Sequence, residues 1–200
     1  MHNLIQNLFI ISGPSGVGED SVIEGLRERI PIERVITSTT RQPREGESQG
    51  VPYYFLSKED FKKGIEKEIF IEYAKEYNDE YYGVTKEEIE RVIQSGKIGI
   101  WKIEWKGVIT AKKLFPSIQS ILLTVSDLSI LEKRIQKRGS VSKEYITERM
   151  LYTIEWLSHK DIYDYIVYNE EGKLTQTIQE VQTIIENNSL LYKKDSDNRA

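Results

Sequence analysis

Leu8-Phe9-Ile10-Ile11-Ser12-Gly13-Pro14-Ser15-Gly16-Val17-Gly18-Glu19-Asp20-Ser21 is the stretch whose reading decides the architecture of this chain. The apolar run from Leu8 to Ile11 is short, β-branched at its end and stops at a glycine-rich turn, which predicts a buried strand. From Ser21 to Ile30 the apolar residues Val22, Ile23, Leu26 and Ile30 fall at helical spacing, and Pro31 closes the segment. A strand, a glycine loop and a helix in that order make a phosphate cradle. Glycines let backbone N–H groups converge on an anion, and the helix N-terminus adds partial positive charge. The spacing from Gly13 to Gly18 matches G-x-x-x-x-G, and Gly13, Ser15, Gly16, Gly18, Glu19, Asp20 and Ser21 are the candidate loop residues.

The complete motif continues with lysine and then serine or threonine. Here Glu19 stands in the lysine's place, Asp20 follows, and Ser21 is the first residue able to offer a hydroxyl to magnesium. A lysine ~4 Å from one phosphate charge contributes on the order of 4 kcal/mol at an effective dielectric of 20. Glutamate reverses the sign, a swing of roughly 8 kcal/mol or about six decades in rate before solvent and rearrangement reduce it.

Working outward, further continuous apolar runs cover Ile98 to Ile103, Ile118 to Val125 and Asp164 to Tyr168. Helical patterns separate them: Val108 to Phe115, Leu128 to Arg138, Ser142 to Leu157 and Leu174 to Ile185. Strands alternating with helices predict an α/β fold with a parallel sheet covered on both faces. Between about Ile36 and Tyr82 the texture changes to alternating and aromatic segments: Val35 to Thr40, Val51 to Leu56, Phe70 to Ala74 and Glu80 to Tyr82. Helical signals over Lys58 to Ile65 and Lys86 to Gln94 complete a small mixed lobe inserted into the core.

Bulk properties narrow the function. The 200 residues suit one core with a small inserted lobe. With 30% charged residues and a net charge of −4, a general polyanion binder is disfavoured, so no nucleic-acid partner is expected. The chain has no cysteine, which removes disulfides, thiolate zinc sites and thiol catalysis. Its two histidines, His2 and His159, exclude a histidine-rich metal site, and His159 reads as a solvated helical residue. The opening MHNLIQNLFIISG lacks a basic n-region and a cleavage signal, and its apolar run is too short to span a bilayer. No membrane partner and a cytoplasmic location are the expectation.

The most specific signal is Thr37-Ser38-Thr39-Thr40-Arg41-Gln42-Pro43-Arg44-Glu45-Gly46-Glu47. Two arginines three apart, held by Pro43 and Gly46, can fork around a phosphate. Tyr53 and Tyr54 follow, then Phe70-Ile71-Glu72 and Tyr81-Tyr82-Gly83. A glycine loop, S-x-T-T-R-x-P-R-x-G-E, F-x-E and Y-Y-G in this order resemble the guanylate kinases, over about residues 6 to 187.

That resemblance implies a P-loop NTPase-type core at about residues 6–34, 96–126 and 160–187. It also implies a GMP-binding lobe at about 35–95, a helical lid at about 127–159 and a polar tail at 188–200, all in one domain. It places GMP against Thr37, Arg41, Arg44, Glu47, Tyr53, Glu72, Tyr82, Thr85 and Glu104, with Glu72 reading the guanine edge. A carboxylate accepts from guanine's N1–H and 2-amino group, which adenine does not offer in that pattern. The hydroxyl after Y-Y-G is displaced here, since Val84 follows Gly83 and Thr85 comes one later. On the strand ending Trp101-Lys102-Ile103-Glu104, Lys102 replaces one of the family's two acids: it is either a tolerated variant, or it and Glu19 form the family's lysine–acid pair with its signs reversed. Arg134, Arg138 and Arg149 match the catalytic lid arginines, and Asn169 matches a residue beside the adenine.

The implied activity is phosphoryl transfer from ATP to GMP giving ADP and GDP, with Mg2+ carried by ATP and a tentative contact at Ser21. Glu19 is expected to impair it, to at least a hundredfold below a Glu19→Lys chain. The alternative is a catalytically inactive guanylate-kinase-like module that binds GMP or a phosphorylated protein partner. A monomer or homodimer is expected.

Overall fold

The computed structural model describes residues 5–75, 79–137 and 141–190. Strand β1 (Leu8–Ser12) leads through the glycine loop into helix α1 (Glu19–Arg27) and strand β2 (Ile32–Arg34). Next come β3 (Thr37–Thr39), β4 (Ser48–Gln49), β5 (Pro52–Phe55), α2 (Lys58–Glu66), β6 (Phe70–Lys75), β7 (Tyr81–Thr85) and α3 (Lys86–Gln94). The chain then forms β8 (Ile98–Lys102), α4 (Trp105–Leu114), β9 (Gln119–Thr124), α5 (Ser129–Gln136) and α6 (Lys143–Ser158). Strand β10 (Tyr165–Tyr168) and helix α7 (Leu174–Asn188) complete it.

A five-stranded parallel sheet in the order β10-β9-β1-β8-β2 is the core. Every residue of β1 is buried because the strand is central and both faces are covered. Alternation divides its side chains. Phe9 and Ile11 pack with Val22, Leu26, Val181 and Ile185 from α1 and α7. Leu8 and Ile10 pack with Trp101, Val108, Ala111 and Trp156 on the opposite face. The chain leaves β1 toward β2 on one side and later crosses to β9 on the other, so the loop after β1 opens at the switch point of the sheet, where such folds bind ligands.

The second sheet has the order β4-β5-β3-β7-β6, with β7 antiparallel to both β3 and β6. A buried carboxylate ties this lobe to the core edge. Glu88 on α3 accepts from the Ile36 amide at 2.7 Å and the Tyr54 hydroxyl at 3.3 Å, and pairs with Arg91 at 2.8 Å. Arg91 in turn reaches Glu33 at 2.6 Å and the Arg34 carbonyl at 3.0 Å on β2.

Several differences from the sequence reading have local causes. Helix α1 begins at Glu19 rather than Ser21, because Gly18 adopts a left-handed φ of 94° and turns the chain directly into the helix. Strand β2 was not expected, since a three-residue strand shows no period and exists through its pairing with β8. His159 is only partly exposed: its ring stacks on Trp105 with centroids 3.8 Å apart and planes 13° from parallel. Of the expected polar tail, Ser189 is buried and its hydroxyl bonds the Asn7 side chain at 2.8 Å, while residues 191–200 lie outside the described residues.

Candidate phosphate-transfer site

The loop from Gly13 to Gly18 is held from behind. A β-carbon at Gly13 would lie 2.6 Å from the Leu123 carbonyl oxygen, so only glycine lets β1 run this close to β9. Gly16 and Gly18 both have positive φ, 88° and 94°, which bends the loop back over the start of α1. Two side chains grip the Val17 carbonyl: Asn169 donates through Nδ2 at 2.7 Å and Arg134 through Nη1 at 3.3 Å. Arg134 also donates to the carbonyls of Gly16 at 3.4 Å and Asn169 at 2.9 Å, and Thr177 donates to Asn169 Oδ1 at 3.1 Å. The residues expected at the lid and the adenine thus meet the loop's own backbone here. Beneath the loop, the Ser12 hydroxyl donates to the Ile103 carbonyl at 2.7 Å and lies 2.8 Å from the Tyr163 hydroxyl, which accepts from Trp156 at 3.0 Å.

A cavity of about 180 Å³ opens at the loop, lined by Ser15, Gly16, Gly18, Glu19, Asp20, Ser21 and Lys102. The first amides of α1 have no partners within the helix, as at any helix start, and are donors available to an anion. The charges around this cavity are arranged differently from a reversed Glu19–Lys102 pair. Lys102 binds Asp20 at 2.7 Å, not Glu19, and Arg34 holds the other oxygen of Asp20 at 2.8 Å. Pairing follows position: β8 ends level with β1, with Lys102 beside Ile11, so its ammonium reaches the outer face of the first turn of α1. Burial alone would raise the Asp20 carboxyl, but the two cations outweigh it and hold the carboxyl below its usual range. Burial pushes the half-buried Glu19 up to about 7; Lys102 opposes that rise, while Asp20 and Glu104 add to it. Glu19 and Asp20 thus face Lys102 and Arg34, with Glu104 as a third acid nearby.

In the lobe, Glu47 organises the arginine loop. Arg41 grips it with both Nη atoms, at 3.0 Å and 2.9 Å, and the Arg44 amide donates to it at 2.8 Å. The Arg41 contact and then the Arg44 amide hold the Glu47 carboxyl below its usual range. The guanidinium of Arg41 lies 5.4 Å from the Tyr53 ring centroid and 5.7 Å from that of Phe55, and Tyr53 meets Tyr82 edge to face at 6.2 Å. Thr37 pairs with Tyr53 across β3 and β5, and the Arg44 side chain is exposed. These residues form one aromatic-backed cluster around Arg41, with groups suited to a phosphate.

The guanine-reading candidate, Glu72 on β6, sits against the start of α4: a β-carbon at Gly107 would lie 3.4 Å from Glu72 Oε2. Val84 is fully buried and turned from any ligand, while the Thr85 hydroxyl caps α3 by accepting the Glu88 amide at 3.1 Å. Capping uses one lone pair and leaves the Thr85 O–H able to donate. Glu104 precedes α4 and accepts from Tyr152 on α6 at 2.5 Å, joining the segment after β8 to α6. Arg149, also on α6, lies 5.1 Å over the Tyr145 ring. Arg138 lies outside the described residues. Sequence reasoning missed Arg34, Glu88 and Tyr152, which touch the site only through pairings between distant segments.

A phosphate loop at the switch point of a parallel sheet, facing a basic acceptor lobe, is the arrangement of a nucleotide-binding P-loop protein. Residues 5–188 match the family model described as guanylate kinase. The chain is 39% identical to the guanylate kinase of Haemophilus influenzae over 187 residues, covering 92% of this chain and 89% of that protein. It is 40% identical to the guanylate kinase of Helicobacter pylori strain 26695 over 179 residues, covering 89% and 86%. The crystal structure of guanylate kinase from Anaplasma phagocytophilum superposes with a TM-score of 0.70 at 23% identity, covering 92% of this chain and 86% of that one. The chain belongs to the guanylate kinase family.

Proposed function

We propose that this chain transfers the γ-phosphoryl group of ATP to GMP, giving ADP and GDP. The observation that carries it is the aromatic-backed cluster of Arg41, Tyr53 and Tyr82 with Glu72 in the same lobe, on a core whose phosphate loop is gripped at its backbone. Arg41 and Arg44 would hold the GMP phosphate, Glu72 would accept from guanine N1–H and its 2-amino group, and Thr85 would donate its hydroxyl. The free amides of α1 would meet the donor phosphates, and Arg149 would add charge neutralisation, the chief need of a phosphoryl transfer without a covalent intermediate.

Magnesium fits this donor set. The Ser21 hydroxyl, which lines the loop cavity, would be an oxygen ligand for a hard cation. Among the described residues no cluster of three or more histidines, cysteines or acids could hold an ion without the nucleotide. Held by the Ser21 hydroxyl together with ATP, magnesium would supply charge neutralisation at the phosphates.

Glu19 lowers the grip on ATP, but by less than the residue change alone indicates. Asp20 is already neutralised by Lys102 and Arg34, and Glu19 carries only part of a charge near neutrality. A monomer or homodimer working in the cytoplasm suits this function, and among the described residues no helix is long and apolar enough to cross a membrane.

The second reading, a module that binds GMP or a phosphorylated protein without turnover, has Glu19 itself in its favour. A coupled assay of GDP formation, beside titration calorimetry with GMP and AMP, separates the two. GDP formation with GMP preferred over AMP is expected. GMP binding with no GDP formed would establish the second reading, and binding of AMP or a phosphopeptide in preference to GMP would overturn the acceptor assignment.

A further inference from the structure

Resting on the phosphoryl-transfer reading above, we infer that Lys102 is the cation that meets the donor's phosphates, delivered from the end of β8 rather than from the first turn of α1. The position supports this. Lys102 lies beside Ile11 in the register of the central strands, one residue before the loop-bearing end of β1, and so stands at the carboxyl edge of the sheet. Its side chain lines the loop cavity together with Ser15, Gly16, Gly18 and Ser21, and it is the one cationic side chain among the described residues lining it.

Pairing with Asp20 does not disqualify it. An ammonium has three N–H donors. The bond to Asp20 at 2.7 Å occupies one, which leaves two for oxygens entering the cavity. Arg34 grips the far oxygen of Asp20, so the carboxylate is fixed and the lysine with it. Protein kinases use the same device, an acid holding the phosphate-binding lysine in place. The charge is secure as well. Burial alone would lower the ammonium's pKa, but the carboxylates of Glu19 and Asp20 outweigh it and raise it. The acids of α1 thus serve to hold and charge a lysine that reaches the loop from the neighbouring strand.

The bland reading is that Lys102 only balances two acids. Four chains separate the readings: wild type, Lys102→Ala, Glu19→Lys and Glu19→Lys/Lys102→Ala. The measurements are kcat/KM for ATP at saturating GMP, and ATP and GMP affinity by calorimetry. Lys102→Ala is expected to lose at least thirtyfold in kcat/KM for ATP with GMP affinity within threefold of wild type. The double variant is expected to recover at least tenfold over Lys102→Ala, because a lysine again faces the phosphates. Glu19→Lys alone is expected to gain less than tenfold, since the cation is already present.

A smaller loss in Lys102→Ala, a parallel loss of GMP affinity, failure of the double variant to recover, or a larger gain in Glu19→Lys each overturns the inference. If GMP binds but no GDP forms, the same thresholds apply to ATP affinity. A wild-type chain that binds no ATP overturns this inference together with the phosphoryl-transfer reading. A wild type that turns over, with Lys102→Ala keeping pace, overturns this inference alone.

Discussion

Glu47 is the residue around which the acceptor loop closes, since it holds the Arg41 guanidinium and the Arg44 amide at once and leaves the Arg44 side chain exposed. That division of labour predicts different outcomes for the two arginines. Arg44→Ala removes a charge-assisted contact to phosphate without disturbing packing, so KM for GMP should rise at least tenfold, about 1.4 kcal/mol or more. KM for ATP should stay within threefold; steady-state kinetics varying each nucleotide in turn would reveal a shared loss and disprove the assignment. Glu19 makes a second demand, on stability. Its carboxyl is raised from 4.5 to about 7, so folding favours the protonated form. That contribution is complete below about pH 4.5 and is lost as pH rises through 7. Nucleotide-free Glu19→Gln should therefore exceed wild type by on the order of 2–3 kcal/mol at pH 8 and by almost nothing at pH 4.5. Urea unfolding of both proteins at the two pH values checks this, and a difference independent of pH would show that Glu19 is not buried as described.

At the scale of elements, the loop between β1 and α1 is kept in shape by α5 and by the end of β10 as well as by its own glycines. Asn169, buried after β10, donates to the Val17 carbonyl, and Arg134 reaches the same oxygen from α5. Asn169→Ala should cost roughly 1–3 kcal/mol, because the partners of a buried amide lose their hydrogen bonds. Amide hydrogen exchange in residues 13–18 should quicken more than exchange in β8 or β9. Uniform acceleration across the sheet would mean that Asn169 supports the whole fold rather than the loop. Most of the elements were legible in the residues alone. The runs Leu8 to Ile11, Ile98 to Ile103 and Ile118 to Val125 are long enough to declare a buried strand, and α3, α4, α6 and α7 show helical period. Strands β2 and β4 were not legible, because so few residues carry no period and form only when a partner strand arrives.

For the whole molecule, lobe and core are separate sheets, linked by the buried Glu88 with Arg91, Glu33 and Ile36 and by the packing of β6 on α4. Phosphoryl transfer requires the acceptor phosphate to approach the donor loop with water excluded. The lobe should therefore move relative to the core when nucleotides bind. Small-angle scattering should show a smaller radius of gyration with GMP and ATP than without. A profile unchanged under saturating nucleotides would favour a rigid binding module.

The chain's residues alone determined the phosphate loop, the arginine–tyrosine lobe and the order of elements, because backbone freedom, hydrophobic period and phosphate chemistry are written locally. They also placed Lys102 near Glu19, since both were assigned to the loop end of the core. Only the tertiary structure decided which carboxylate the lysine takes. Register sets Lys102 beside Ile11, and Arg34 arrives from the edge strand, so Asp20 is claimed by two cations while Glu19 is left to the cost of burial. Charge pairing depends on distances of a few ångströms between residues far apart in the chain, and on the water removed around them. Neither quantity is carried by residue order.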